Sequence, residues 1–600
     1  MESRREDSSV EAIYRARLAA RRANRERFER AHARLAWARL SVFGVAAALV
    51  VVLGRQSAPW LTFPLVAFLV LLFIHARTLN ARDRAARAAS FYERGIARLT
   101  DTWQGTGARG ERYRNASHLY ADDLDLFGGG GLFELLVTTR THAGEDLLAA
   151  WLLAPAPPDV VRARQAAVTE LSHKLDLRED LAVLGPDLDA TVRTHDLTVW
   201  ATAPPHLRGT WPRIVLPLAA AVSTSLIIQW IWTGVPPDLL LPALAAQGLL
   251  ALGFRRAAHH VAHGIEARDQ ELRVLAILME RIEREPVDSP LLGRLGDRLR
   301  ATGRSPADEI RRLARLIDIL SSGHNQIFAP FSALLLLGTQ LAFAVERWRM
   351  RCGPAVTGWL EAVAEYEALS ALATYAAEHA AYPFAELIED GAVFEARALA
   401  HPLLPASAVA NDVRLGGSNP QLLLVSGSNM SGKSTLLRTV GLNAVLAQAG
   451  APVRGEGLRM SPLVVGATLR IQDSLQAGRS RFFAEITRIS EIVALADARE
   501  QPASVLFLLD ELLSGTNSHD RLAGATGILR GLLERSAIGL ATTHDLALTA
   551  MVEELGGRAK NVHFEDRFDN GTLMFDYRLK PGVVQTSNAI ALMRAVGLEV

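Results

Sequence analysis

Residues 427–434 read GSNMSGKS. Glycines at that spacing let successive backbone N–H groups curl around phosphate oxygens, and the Gly-Lys-Ser end sets an ammonium and a hydroxyl beside them. The run QLLLV precedes the loop and TLLRTVGLNAVLAQAG follows it. A short apolar strand therefore feeds the loop, and the helix leaving it aims the positive end of its dipole at the same phosphates. On this reading Gly427, Ser428, Asn429, Met430, Ser431 and Gly432 form the cradle. Lys433 reaches the β- and γ-phosphates of ATP, Ser434 ligates Mg²⁺, and Thr435 carries the cradle into the helix.

A phosphate loop demands acids on a neighbouring strand. SVLFLLDELLSGTNSHD, residues 504–520, is an apolar strand ending in two carboxylates. Asp510 is expected to hold the Mg²⁺ water shell and Glu511 to polarise the attacking water. An acidic pair at a strand end can also simply cap the next segment. A third buried run, IGLATTHD, ends in His544 and Asp545. Alone, His544 reads as a core histidine; third in this series, it reads as a switch that touches a γ-phosphate.

These groups need a scaffold. Six hundred residues exceed one core, so two to four domains are expected. Hydrophobic residues make up 49% and mean hydropathy is +0.14, which suits a chain part in lipid and part in water. The single cysteine, Cys352, excludes an intramolecular disulfide and fits a reducing compartment. Two apolar pairs, 40–54 with 60–75 and 214–234 with 238–254, read as helical hairpins entering a bilayer. The runs of the first pair are shorter than the ~20 residues a spanning helix needs, and Arg39 and Arg77 could snorkel and extend them. Arginines cluster outside both pairs, in the 1–39 arm (Arg15, Arg22, Arg30, Arg34), at Arg77 and at Arg213, Arg255 and Arg256. The positive-inside rule then puts both termini and the nucleotide loop on the cytoplasmic side of the inner membrane. Buried helical hairpins in a soluble core are the competing explanation. A fifth run, 328–345, is expected to be a buried soluble helix, because a fifth span would carry Lys433 away from ATP.

The expected organisation is multidomain. A basic arm (1–39) leads to a first transmembrane hairpin (40–76) and the first part of an all-α core domain (77–210). A second hairpin (211–256) is followed by a helical lever (257–400) and a C-terminal α/β phosphate-loop ATPase domain (401–600).

Taken in order, these motifs resemble the MutS family of mismatch-repair ATPases. SGSNMSGKSTLLRTVGLNAVLAQAGAPV is similar to that family's loop and following helix, AGRSRFFAEITRISEIV to its next segment, LLDELLSGTNSHDRLAGA to its acidic strand and signature, and ATTHDLALT to its histidine loop. NDVRL before the loop also fits, and residues 123–171 are similar to the start of its helical core. The resemblance implies an ABC-type ATPase domain with ATP and Mg²⁺. It further implies a homodimer in which Ser514, Gly515, Thr516, Asn517 and Ser518 of one chain close on the partner's γ-phosphate; otherwise these small residues make a simple turn. DNA is the implied partner, beside membrane lipids.

The departures matter as much. The family's mismatch-reading domain, with its Phe-x-Glu wedge, is replaced here by the arm and hairpins. Two such triplets, Phe91-Tyr92-Glu93 and Phe483-Ala484-Glu485, fall in a juxtamembrane helix and in the ATPase domain and read as coincidence. The long DNA clamp has little room between residues 255 and 325, and no tail is expected beyond Val600. Two other classes stay open: a transporter-like machine, and a membrane-bound switch acting on protein or lipid without DNA. A transporter ATPase carries its signature before the acidic strand, whereas here it follows, and the hairpins hold almost no intramembrane charge.

Overall fold

The computed structural model describes residues 2–54, 60–183, 194–207, 209–266, 269–301, 303–322, 329–428, 430–470, 481–497, 504–514, 516–569 and 572–584. They form two compact units interleaved along the chain. One comprises Met1–Thr138, Asp146–Leu175 and Ala368–Val600; the other comprises Thr139–Glu145 and Asp176–Glu367.

In the first unit the basic arm and the first apolar run are one continuous helix, Glu2–Leu53. Alanine and arginine favour helix throughout the arm, and no proline interrupts it. It pairs with Thr62–Leu99, whose Pro64 sits in the first turn, where its missing N–H costs nothing. Away from the apolar ends the two helices lock together through Tyr14, which packs edge-on against Tyr92 at 5.4 Å and beside Phe91 at 6.4 Å. Gly95 permits this approach, since a Cβ there would lie 2.5 Å from the Tyr14 ring. Phe91 and Tyr92 are thereby buried, so the first Phe-x-Glu triplet offers no wedge.

Among the described residues the α/β part carries ten strands: β1 (Glu386–Leu387), β2 (Val393–Leu399), β3 (Asn411–Gly416), β4 (Leu422–Ser426), β5 (Gly457–Met460), β6 (Leu463–Thr468), β7 (Ser504–Leu509), β8 (Ile538–Thr543), β9 (Ala559–Asp569) and β10 (Thr572–Pro581). They make a four-stranded sheet, β1-β5-β2-β3, and a six-stranded sheet, β10-β9-β4-β8-β7-β6. In the larger sheet every neighbouring pair is parallel except β9 with β10. The β4 run LLLVS is buried at every position, as a strand covered on both faces requires. Leu422, Leu424, Phe507 and Leu509 pack with Leu529 and Leu533 of helix Ser518–Glu534 and with Ile489 and Ile492 of helix Arg481–Asp497. Residues 116–125 run beside β6: Ala467 N–H donates to Leu119 O at 2.9 Å, and Asp123 Oδ1 accepts from Leu469 and Arg470 N–H at 2.6 and 2.7 Å.

The second unit is helical among its described residues. Helix Asp269–Glu283 packs on Pro306–Ser322, and Trp348 stacks on Trp200 at 6.2 Å. The second apolar pair occupies helices Pro212–Thr233 and Leu240–Glu266. Among the described residues three helical segments are long and apolar enough to cross a membrane: Ser9–Leu53, Thr62–Leu99 and Pro212–Thr233. Leu240–Glu266 is not among them. Its Gln247 is buried, donating to Leu334 O at 2.5 Å. The run read as one buried helix over 328–345 is instead two pieces. Ala329–Leu334 ends before Leu336, whose φ of 50° breaks the helix, and the long helix Leu337–Glu378 follows. Phe331 is exposed on the first piece, while Phe343 and Val345 are buried on the second. Phe328 lies outside the described residues.

Candidate nucleotide-binding site

The loop leaves β4 at Ser426 and enters helix Lys433–Ala449 through Gly432. Gly432 sits at φ 102°, where a side chain would be strained, and a Cβ would also crowd the Tyr577 ring at 3.2 Å. Met430 stands exposed at the tip. Lys433 is buried, and its Nζ donates to Gly427 O at 3.0 Å and Ser428 O at 2.7 Å. Burial lowers the Lys433 pKa while Asp510 and Glu511 pull it back up. The hydroxyl oxygens of Ser428 and Ser431 are buried with no partner among the described residues. Two unpaired hydroxyls beside an ammonium, inside a turn of backbone N–H groups, suit phosphate oxygens. Asn429 lies outside the described residues.

The acids reach the loop because β8 lies between β4 and β7. Thr542, on β8, serves both carboxylate residues. Its Oγ1 donates to Asp510 Oδ1 at 2.6 Å and accepts from Glu511 N–H at 2.8 Å. Glu511 has φ 47° and Leu513 φ 56°, so the chain turns sharply as the strand ends. Glu485, from the second Phe-x-Glu triplet, is buried and braces that turn by accepting from Leu513 N–H at 2.7 Å. His544 Nε2 lies 3.1 Å from Glu511 Oε1.

A cavity of about 510 Å³ opens here, lined by Met430, Gly432, Lys433, Ser434, Thr435 and Glu511 among others. Asp510 and His544 join it only indirectly, through Thr542 and Glu511. Of the signature residues, Ser514 N–H donates to Glu511 O at 3.0 Å and Thr516 N–H to Leu513 O at 3.3 Å. Asn517 caps helix Ser518–Glu534 by accepting from Asp520 N–H at 2.9 Å, and Ser518 is exposed. None of these four lines the cavity of its own chain. Gly515 lies outside the described residues.

Sequence reading missed three things. Thr542 was legible, since it stands two residues before His544 in the IGLATTHD run, a spacing that an extended chain turns to one face. The opposite cavity wall was not: His401, Leu404, Pro405, Ala408 and Tyr577 belong to no motif. Arg454 ties that wall down, donating to His401 O at 2.8 Å, to Leu404 O and to Pro405 O at 2.7 Å. Burial, reinforced by Arg438 and Arg454, pushes His401 down to about 4, so its ring is neutral near pH 7. Asn411 was seen only as the start of NDVRL. It pins Tyr577, its Nδ2 donating to Tyr577 O at 3.0 Å and its Oδ1 accepting from Leu579 N–H at 2.7 Å.

Fold and loop together define a largely helical chain that ends in an α/β domain with mixed sheets and a glycine loop between strand and helix. Residues 423–599 match the family model described as MutS domain V. The chain is 30% identical over 523 residues to the DNA mismatch repair protein MutS of a Thermus thermophilus strain, covering 79% of this chain and 59% of that one. It is 29% identical over 514 residues to the protein of the same name from Myxococcus xanthus, covering 78% and 56%. An Endonuclease MutS2 from another Thermus thermophilus strain is 37% identical over 199 residues, covering 33% of this chain and 25% of the other. This chain belongs to the MutS family. It spans under three fifths of the length of these curated relatives.

Proposed function

We propose that this protein is a membrane-tethered MutS-family ATPase that acts on DNA as a homodimer. The observation that carries the ATPase reading is the cavity in which Lys433, Ser434, Thr435 and Glu511 meet. The loop amides, Lys433 and the Ser428 and Ser431 hydroxyls hold the phosphates. Ser434 and Asp510 are the residues placed to hold Mg²⁺, which when bound neutralises the triphosphate charge. Glu511, fixed by Thr542 and His544, orients the attacking water, and His544 is placed to sense the γ-phosphate. The neutral His401, with Leu404, Pro405 and Tyr577, offers an apolar wall for a base.

Composite sites are supported by Ser514, Thr516, Asn517 and Ser518 standing outside their own chain's cavity. Tethering is supported by the apolar helices, with Phe43, Val51, Phe63, Phe73, Ile214 and Trp232 all exposed. The orientation that follows leaves the ATPase domain in the cytoplasm. DNA as partner is carried by kinship alone, since two of the relatives are named mismatch repair proteins.

The test is ATP turnover by the purified full chain. Lys433→Ala should abolish nucleotide binding. Glu511→Gln should keep binding yet slow hydrolysis about 100-fold or more; wild-type turnover in that variant would sink the assignment. Mixed Lys433→Ala and Ser518→Ala chains should regain activity if sites are composite. Extraction by alkaline carbonate would refute the tether. Gel shifts with matched and mismatched duplexes over rising salt test the DNA role, and no binding at low salt would favour the protein-only switch.

A further inference from the structure

Within the second unit a cavity of about 540 Å³ is walled by Trp200, His206, Arg256, His259, His260 and Arg349, among others. None of its described lining residues is a carboxylate. Arg349 is already committed. It pairs with buried Glu346 at 2.9 Å, donates to Pro204 O at 2.9 Å and lies 5.7 Å from the Trp200 ring centroid. Its charge is balanced by Glu346. His259 has a partner of its own. The wall also carries Arg256, with His206 and His260 edge to face at 4.5 Å. Guanidinium and imidazole N–H groups converging with no carboxylate among the described lining residues suit a phosphate-bearing anion.

The cavity's place along the helix says where such an anion would come from. The apolar stretch of helix Leu240–Glu266 ends at Phe254, whose ring meets Trp211 at 5.8 Å and Phe343 at 5.5 Å. Trp211, which is exposed, is the kind of residue that marks the boundary of the hydrocarbon layer. Arg256 and His260 lie about 3 and 9 Å farther along the helix. A headgroup layer is about 5–7 Å thick on each side of the hydrocarbon. With Trp211 taken as the boundary, Arg256 falls within that layer and His260 just beyond it, at the edge facing water. We propose that it is a binding site for a phosphate-bearing anion, presented by an anionic phospholipid headgroup or by a soluble phosphate. The depth argument rests on the tether reading.

The experiment uses the full chain in phosphatidylcholine nanodiscs, with and without phosphatidylglycerol, and in neutral detergent with added inorganic phosphate. Hydrogen exchange across residues 254–261 is the readout. Slowing by phosphatidylglycerol identifies the lipid source, and slowing by inorganic phosphate in detergent identifies the soluble one. Arg256→Gln should weaken the protecting anion about fivefold, and His260→Gln should weaken it further. Arg255→Gln, one residue away and not lining the cavity, should change it little. Equal loss in Arg255→Gln and Arg256→Gln would reduce the effect to diffuse surface charge and overturn the proposal, as would protection by duplex DNA alone or by neither phosphate source. Carbonate extraction run alongside separates failure of this site from failure of the tether.

Discussion

The two apolar hairpins look alike in sequence and end differently. The first continues beyond its apolar residues as a paired stalk; from Tyr14 to Leu40, at 1.5 Å per residue, it runs about 39 Å. Its inner end is fastened. Arg98 makes a two-toothed ion pair with Glu378, both bonds 2.6 Å and both side chains buried. Three residues on, Asp101 Oδ2 accepts from Ala406 N–H at 3.0 Å. Ala406 lies between Pro405 and Ser407, both in the nucleotide cavity wall. Among the described residues the second pair shows no ion pair of this kind at its end, and its charged cavity begins two residues past Phe254. One apolar pair is thus built onto the candidate nucleotide site and the other onto a separate charged cavity. Apolar length alone does not say what a helix is for; the polar residues where it ends do.

The largest expected effect comes from cutting the first attachment. Glu378→Ala leaves the Arg98 guanidinium buried without its counter-ion and should destabilise the first unit by about 3–5 kcal/mol, read by denaturant unfolding. Arg98→Met combined with Glu378→Leu should recover most of this. If the single variant is as stable as wild type, the stalk is not fastened there.

The second unit has a buried carboxylate of its own. Glu367 accepts from Arg140 N–H at 2.8 Å and from the Thr141 hydroxyl. Burial nevertheless pushes it up to about 7 from 4.5. The native state then holds a proton that the unfolded chain has lost, so its contribution to stability falls as pH rises from about 4.5 to 7. The change amounts to about 3 kcal/mol. Glu367→Gln should flatten that dependence in thermal unfolding between pH 5 and pH 8 (about the range where Glu367 titrates). A wild-type profile rising through this window would contradict it.

The smallest effect sharpens the link to the nucleotide. Asp101→Ala loses one hydrogen bond to the cavity wall, about 1 kcal/mol, and should raise KM for ATP about fivefold with kcat little changed. Asp101 has φ 55°, a conformation asparagine tolerates, and Asn Oδ1 can still accept. Asp101→Asn should therefore restore KM. Equal losses in both variants would point to a merely structural role.

The catalytic half of the site was legible because its chemistry is local. A glycine loop works through backbone N–H groups of consecutive residues, so GSNMSGKS announces itself, and an acidic pair ending an apolar run does the same. Apolar helices are legible for a related reason, since hydropathy is read along a single stretch of chain. The 328–345 run misled because hydropathy cannot reveal the break at Leu336. The base-side wall was invisible, since His401 and Tyr577 are far apart in sequence and carry no shared spacing. Likewise, a charge balance of 65 basic to 64 acidic residues conceals a cavity with no carboxylate among its described lining residues.

By itself the sequence determined the phosphate loop, the acids, the apolar helices and their basic flanks, because each depends on neighbours within a few residues. Only the tertiary structure decided that Thr542 joins Asp510 to Glu511, that Arg98 finds Glu378 and that Asp101 reaches Ala406. It alone also gathered His206, Arg256 and Arg349 around one cavity. Those partners are set by which strands and helices pack side by side, and packing is decided by the burial of whole apolar faces that no local pattern encodes.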